Sequence, residues 1–158
     1  MTRRTAPQLA ALFSIVALAG GLAAAAPMKS DSVVKATAIA AKPDANGKQT
    51  VTLTLAIDKG WHLYANPVGV EDLASVQTTV AVKAAVAPSD VKIDYPSGKK
   101  IKDAVVGEYM IYEDKAVLTI NLTRAKGDDS PVELTIKVQA CNDSTCLLPA
   151  EIKVSAAP

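Results

Sequence analysis

The sequence predicts an all-β domain folded as an antiparallel β-sandwich, and three observations carry that prediction. Apolar residues recur with a period of two through most of the chain, helical periodicity is hard to find, and turns rich in Gly and Pro separate the alternating runs at short intervals. A strand places successive side chains on opposite faces, so each run presents one face to a core and the other to water.

The first 26 residues stand apart from this pattern and read as a secretory signal. Arg3 and Arg4 precede an apolar run from Leu9 to Leu22, and an alanine-rich end sets a cleavage point before Pro27. The run is too short for a transmembrane span. Thr2-Arg3-Arg4 has some twin-arginine character, but Thr5-Ala6-Pro7-Gln8 lacks the large apolar residue of such signals, so ordinary secretion is preferred. No cysteine follows the apolar run to take a lipid, and no later segment is long and apolar enough to cross a bilayer. The mature chain is therefore expected to be soluble, in the periplasm or outside the cell. Residues 27–158, about 132 in all, form a single domain large enough to bury a core without crosslinks.

Along that domain, Val34 to Ala40 alternates modestly and Lys42 to Lys48 is a turn containing Pro43, Asn46 and Gly47. Thr50 to Ile57 is the clearest strand, with Val51, Leu53, Leu55 and Ile57 opposing Thr50, Thr52 and Thr54. Asp58-Lys59-Gly60 turns the chain into Trp61-His62-Leu63-Tyr64, where Trp61 and Leu63 are expected in the core and His62 and Tyr64 on the other face. A lone histidine in such a strand is more often structural than a ligand. Residues 68 to 75 read as a loop or a single helical turn, Val76 to Val82 as a strand, and Val91 to Tyr95 as a short strand closed by Pro96-Ser97-Gly98. Lys99-Lys100-Ile101-Lys102 fits a solvated edge strand, where lysines deter unwanted pairing. Ile111 to Leu122 reads as one strand, and after the turn at Lys126 to Pro131 a last long strand runs from Val132 toward Cys141. Strands of this length and spacing favour an immunoglobulin-like topology.

Charge excludes some functions. With Arg3 and Arg4 assigned to the signal, 15 basic residues face 16 acidic ones, a balance that offers nothing to nucleic acid or an acidic membrane. No paired carboxylates, nucleophile triad or phosphate loop is present. Phe13, the single phenylalanine, also lies in the signal, so the mature domain has none.

The two cysteines, Cys141 and Cys146, enclose Asn142-Asp143-Ser144-Thr145. In an oxidising compartment a pair of cysteines generally forms a structural disulfide. A loop this short, however, gains only about 2 kcal/mol from closure, so the bond is a weak staple. The turn-prone loop residues let the chain reverse as a hairpin with the cysteines opposite each other, within disulfide reach. Breaking the bond need not then unfold anything. Cys141 has the parity of Glu133, Thr135, Lys137 and Gln139, so its sulfur is expected to face away from the main core, open to a partner. Asp143 would raise a cysteine pKa and Lys137 lower it. A soft-metal site from Cys141, Cys146 and His62 lacks metal-type ligand spacing, and neither metal nor cofactor is expected. Two readings remain: a redox-active pair, or a secreted β-sandwich protein-binding module with a structural loop disulfide.

Three blocks bear on the choice: Gly60-Trp61-His62-Leu63-Tyr64-Ala65-Asn66-Pro67, Gly107 followed by Ile111-Tyr112-Glu113-Asp114, and Gln139-Ala140-Cys141 with Cys146-Leu147-Leu148-Pro149. Their order and spacing resemble the N-terminal periplasmic domain of the DsbD thiol:disulfide interchange protein family over most of the mature chain. The resemblance implies an immunoglobulin-like thiol-disulfide oxidoreductase. It would pass reducing equivalents from a separate membrane or thioredoxin-like electron donor to thioredoxin-like periplasmic proteins of the disulfide isomerase or cytochrome-maturation type. It further implies that Cys146 forms mixed disulfides with partners and Cys141 resolves them. By the same resemblance Asp103 to Gly107 forms a cap loop over the disulfide, and His62 and Tyr64 line the site. Where the family's cap often presents Phe, this chain has Val105, and the loop between the cysteines is a residue shorter than in the best-known member. No membrane or thioredoxin-like domain follows within the sequence, so a free-standing domain is expected.

Overall fold

The computed structural model describes residues 27–158, and the predicted secretory signal, residues 1–26, lies outside them. A 3-10 turn, Ser30–Ser32, leads into β1 (Val34–Ala40), β2 (Lys48–Ile57) and β3 (His62–Tyr64). A second 3-10 turn, Glu71–Val76, precedes β4 (Thr79–Lys83), β5 (Ser89–Asp94), β6 (Lys99–Asp103), β7 (Gly107–Glu113) and β8 (Lys115–Thr123). The chain closes with β9 (Val132–Val138), β10 (Ala140–Cys141) and β11 (Ala150–Ala156).

Antiparallel pairing assembles three sheets, ordered β1-β2-β8-β5, β10-β3-β7-β6 and β11-β9-β4. Alternation explains each. In β2 the residues Val51, Leu53, Leu55 and Ile57 are buried, and the register sets Val51 against Ile120 and Leu53 against Leu118 of β8, so two apolar faces become one. Val132, Leu134, Ile136 and Val138 of β9 do the same from the third sheet, and Leu63 and Tyr112 from the second. All join one hydrophobic core, half-buried Trp61 packing at its margin, and the result is the expected immunoglobulin-like antiparallel β-sandwich.

Four expectations about elements are corrected. Ile111 to Leu122 is not one strand. The chain reverses at Asp114, whose φ of 56° places it in the left-handed region, and β7 and β8 belong to different sheets. Aspartate tolerates that conformation better than most residues, so the turn forms without Gly or Pro to announce it. The strand entering the cysteines breaks at Gln139: β9 pairs with β11 and β4, whereas β10 pairs with β3. Val76 ends a 3-10 turn rather than starting a strand, which begins at Thr79. Finally, the strand from Val132 is not the last: β11 follows it, with a clear alternation of Ala150, Ile152, Val154 and Ala156. The lysine-rich β6 does lie at a sheet edge.

Candidate functional site

The cysteine hairpin is built by its own backbone. Leu147 donates its N–H to the Ala140 carbonyl (2.9 Å) and Asn142 donates to Thr145 (2.8 Å), which makes the intervening Cys141 and Cys146 a non-hydrogen-bonded cross-strand pair. Such pairs bring the Cα atoms closest. Here they are 4.0 Å apart and the sulfurs are joined. At the tip, Asn142 Oδ1 accepts the N–H groups of Ser144 (2.9 Å) and Thr145 (2.8 Å), an Asx-type turn that holds the reversal. The reversal is thus held by these hydrogen bonds as well as by the S–S bond.

A strap from the start of the domain supports the hairpin from behind. Fully buried Ser30 donates its hydroxyl to the Leu148 carbonyl (2.8 Å) and accepts the Ala140 N–H (2.8 Å), while its own N–H also reaches Leu148 O (2.9 Å). One side chain thus ties together the residues flanking both cysteines.

β3 and β7 supply the floor. Cys141 lies opposite His62, His62 opposite Glu113, and Tyr64 opposite Ile111. Directly opposed residues share a face, so Cys141, His62, Tyr64, Tyr109, Ile111 and Glu113 line one side, and Ala140, Leu63 and Tyr112 turn to the core. The Tyr64 hydroxyl donates to Cys141 Sγ at 3.8 Å. His62 meets the Tyr64 ring edge-on, with centroids 5.9 Å apart, and Tyr109 packs against Tyr64 at 6.0 Å.

Parity placed Cys141 on the correct face but gave the wrong exposure. Its sulfur is outside the main core cluster, as expected, yet the residue is only 2 % exposed because Tyr64 and its neighbours cover that face. Cys146 is exposed, as are Asp143, Ser144 and Thr145. The two sulfurs are thereby made unequal. Lys137, expected beside Cys141, belongs to β9 across the break at Gln139 and pairs with Glu151 at 3.5 Å.

Burial sets the protonation of the lining. It lowers the His62 pKa from 6.5, outweighing Glu113 and Asp143, which favour the cation, while Lys99 adds to the lowering. Burial also raises the Tyr64 pKa, with Tyr109 adding to the effect. A neutral imidazole and an intact phenol therefore share the face of Cys141 at neutral pH.

The predicted cap is a self-contained turn. Asp103 Oδ1 accepts the N–H groups of Val105 and Val106, both at 2.8 Å, and these bonds hold its carboxyl below the usual range. Gly107 closes the turn at a φ of 99°, a conformation open to glycine. Val105 is 94 % exposed, so it packs against almost nothing. The structure thus gathers Cys141, Cys146, His62 and Tyr64 and leaves Val105 in solvent. Tyr109 and Ser30 were missed. Tyr109 was legible, being two residues from Ile111 on the same face, whereas Ser30 acts through partners more than a hundred residues away. Among the described residues, no three His, Cys, Asp or Glu side chains are grouped to hold a metal ion.

Residues 29–158 match the family described as thiol:disulfide interchange protein DsbD, N-terminal. Solved structures with the same fold include the reduced N-terminal domain of Neisseria meningitidis DsbD, at 17% identity and a TM-score of 0.52, covering 82% of this chain and 87% of that one. The N-terminal periplasmic domain of Proteus mirabilis ScsB gives 19% identity and a TM-score of 0.55, covering 80% of this chain and 49% of that one. The complex of the DsbD and PilB N-terminal domains from Neisseria meningitidis gives 15% identity and a TM-score of 0.50, covering 75% of this chain and 80% of that one. No curated protein matches the sequence.

Proposed function

Since this chain belongs to the DsbD N-terminal family of thiol:disulfide interchange proteins, we propose that it is a periplasmic dithiol-disulfide carrier using Cys141 and Cys146. The observation that carries the reading is the asymmetry of the pair, an exposed Cys146 bonded to a buried Cys141 in a hairpin that also carries its own backbone and Asn142 hydrogen bonds. A staple would be redundant there. An exchange site needs one sulfur that partners reach and one that they do not.

In the reduced domain the Cys146 thiolate attacks a partner disulfide, forming a mixed disulfide and expelling one partner thiolate. Cys141 then gives up its proton and attacks Cys146 Sγ. The Cys141–Cys146 bond closes and the second partner sulfur leaves, so two electrons and two protons reach the partner. A separate dithiol donor, thioredoxin-like or membrane-borne, reverses the sequence by attacking exposed Cys146. Thioredoxin-like periplasmic proteins of the isomerase or cytochrome-maturation type are the proposed acceptors, and Asp103 to Gly107, with exposed Val105 at its tip, the edge that they meet first. A neighbour's complex with a PilB domain supports a protein partner, and the alanine-rich signal of residues 1–26 supports export.

Equilibration of the domain in glutathione buffers, with thiols counted by alkylation and fold followed by circular dichroism, tests the reading. Reversible reduction with the β signal unchanged is the expected result. A bond that is reduced only as the domain unfolds would overturn it.

A further inference from the structure

Resting on the carrier reading, one step lacks an agent: the proton of the resolving thiol. A cysteine thiol with a pKa near 8.5 is only about 3% thiolate at pH 7, and burial raises that pKa further. Cys141 is buried, so its attack on the mixed disulfide needs a proton acceptor within the site.

We propose that the His62 imidazole accepts the Cys141 proton during resolution, while the Tyr64 hydroxyl donates to the sulfur as it becomes a thiolate. Three placements carry this. His62 is the direct cross-strand partner of Cys141, and such pairs have Cβ atoms about 4.5–5.5 Å apart on the same face. The Tyr64 hydroxyl already points at Cys141 Sγ, 3.8 Å away, and its ring holds the imidazole edge-on. Only half-buried, His62 can also pass the proton outward to the departing partner sulfur beside exposed Cys146.

The surrounding charges suit a group that is neutral at rest and cationic in passing. Tyr64 faces His62 from β3, Cys141 from β10 and Glu113 from β7; Asp143 faces it from the hairpin loop. Lys99 of β6 also acts on it but is bonded to Glu113 at 2.7 Å. Burial keeps the resting imidazole unprotonated, and the two carboxylates stabilise the imidazolium once it forms. Written in full, the Cys141 thiol and the Cys146 mixed disulfide give the Cys141–Cys146 disulfide and a free partner thiol. The proton moves from Cys141 Sγ to the imidazole and then to the leaving sulfur. In the reducing direction the imidazolium returns it to Cys141 as that sulfur leaves.

Stopped-flow oxidation of the reduced protein by oxidised glutathione separates the steps, because at saturating glutathione the rate reports resolution alone. The wild-type plateau rate should rise with pH through an inflection below 6.5 and then level off. His62→Gln and His62→Phe, the latter keeping a ring against Tyr64, should lower the pH 7 plateau by about tenfold or more and remove the inflection. The second-order rate of the first attack, measured in Cys141→Ser, should change less than about twofold when His62→Gln is added. Both His62 variants retaining the wild-type plateau and inflection would overturn the proposal, as would a parallel loss of the first attack. If the wild type forms no mixed disulfide with oxidised glutathione, the carrier reading falls and this proposal with it.

Discussion

Asn142 holds the reversal that sets the two sulfurs opposite each other. Its Oδ1 takes two backbone N–H groups and its own N–H closes the hairpin, so the turn is pre-set around Asp143 and Ser144. Asn142→Ala removes the side-chain acceptor at a position where water replaces it in part, which predicts a loss of roughly 1 kcal/mol in the oxidised domain. Reduced sulfurs on a looser hairpin also meet less often, so the glutathione equilibrium should move several-fold toward the dithiol. Urea midpoints and the same equilibrium titration check both effects, and no change in either would show that the Asx turn is incidental. At this scale the sequence was informative about faces and poor about depth. Cys141 does lie on the face away from Ala140, but its burial depends on Tyr64, a residue 77 positions away.

Among the elements, strands with a wet face and a dry one were legible, β2 above all, because alternation follows directly from pleat and burial. Boundaries were not. The β7–β8 reversal rests on Asp114 adopting a left-handed φ, and the break at Gln139 exists because Ala140 leaves β9 to pair with β3. Nothing local announces either. The break has a price for the backbone, met by Ser30, whose hydroxyl takes the Ala140 N–H in a fully buried position. Ser30→Ala leaves that N–H without a partner and out of reach of water, which predicts a loss of about 1–3 kcal/mol. Denaturant unfolding should record it, together with faster amide exchange at Ala140. A cost under about 0.5 kcal/mol would mean that the strap is not what holds the hairpin.

For the whole molecule, the core and the redox end are energetically separable. Fully burying one side chain such as Leu53 or Leu118 contributes about 1.5–3 kcal/mol, as much as the short disulfide loop. The short loop bond is therefore a small share of what holds the sandwich, and stability responds to pH through a few identifiable groups. Burial holds the His62 pKa below 6.5 in the fold, so the unfolded chain binds that proton more readily. Stability from the neutral imidazole is complete above 6.5 and is lost as pH falls through the lower, folded value. A second loss should follow at more acid pH. Asp103 is held below its ordinary 3.8 by the Val106 and Val105 N–H groups, and Glu108 below 4.5 by Lys100 and Lys102. Their contributions are present above those ordinary values and disappear as pH falls through the depressed ones. Urea midpoints measured from pH 7.5 downward should thus fall in two stages. His62→Gln should abolish the first and leave the second, whereas a first stage that survives the substitution would mean that another group, not the imidazole facing Cys141, titrates with folding.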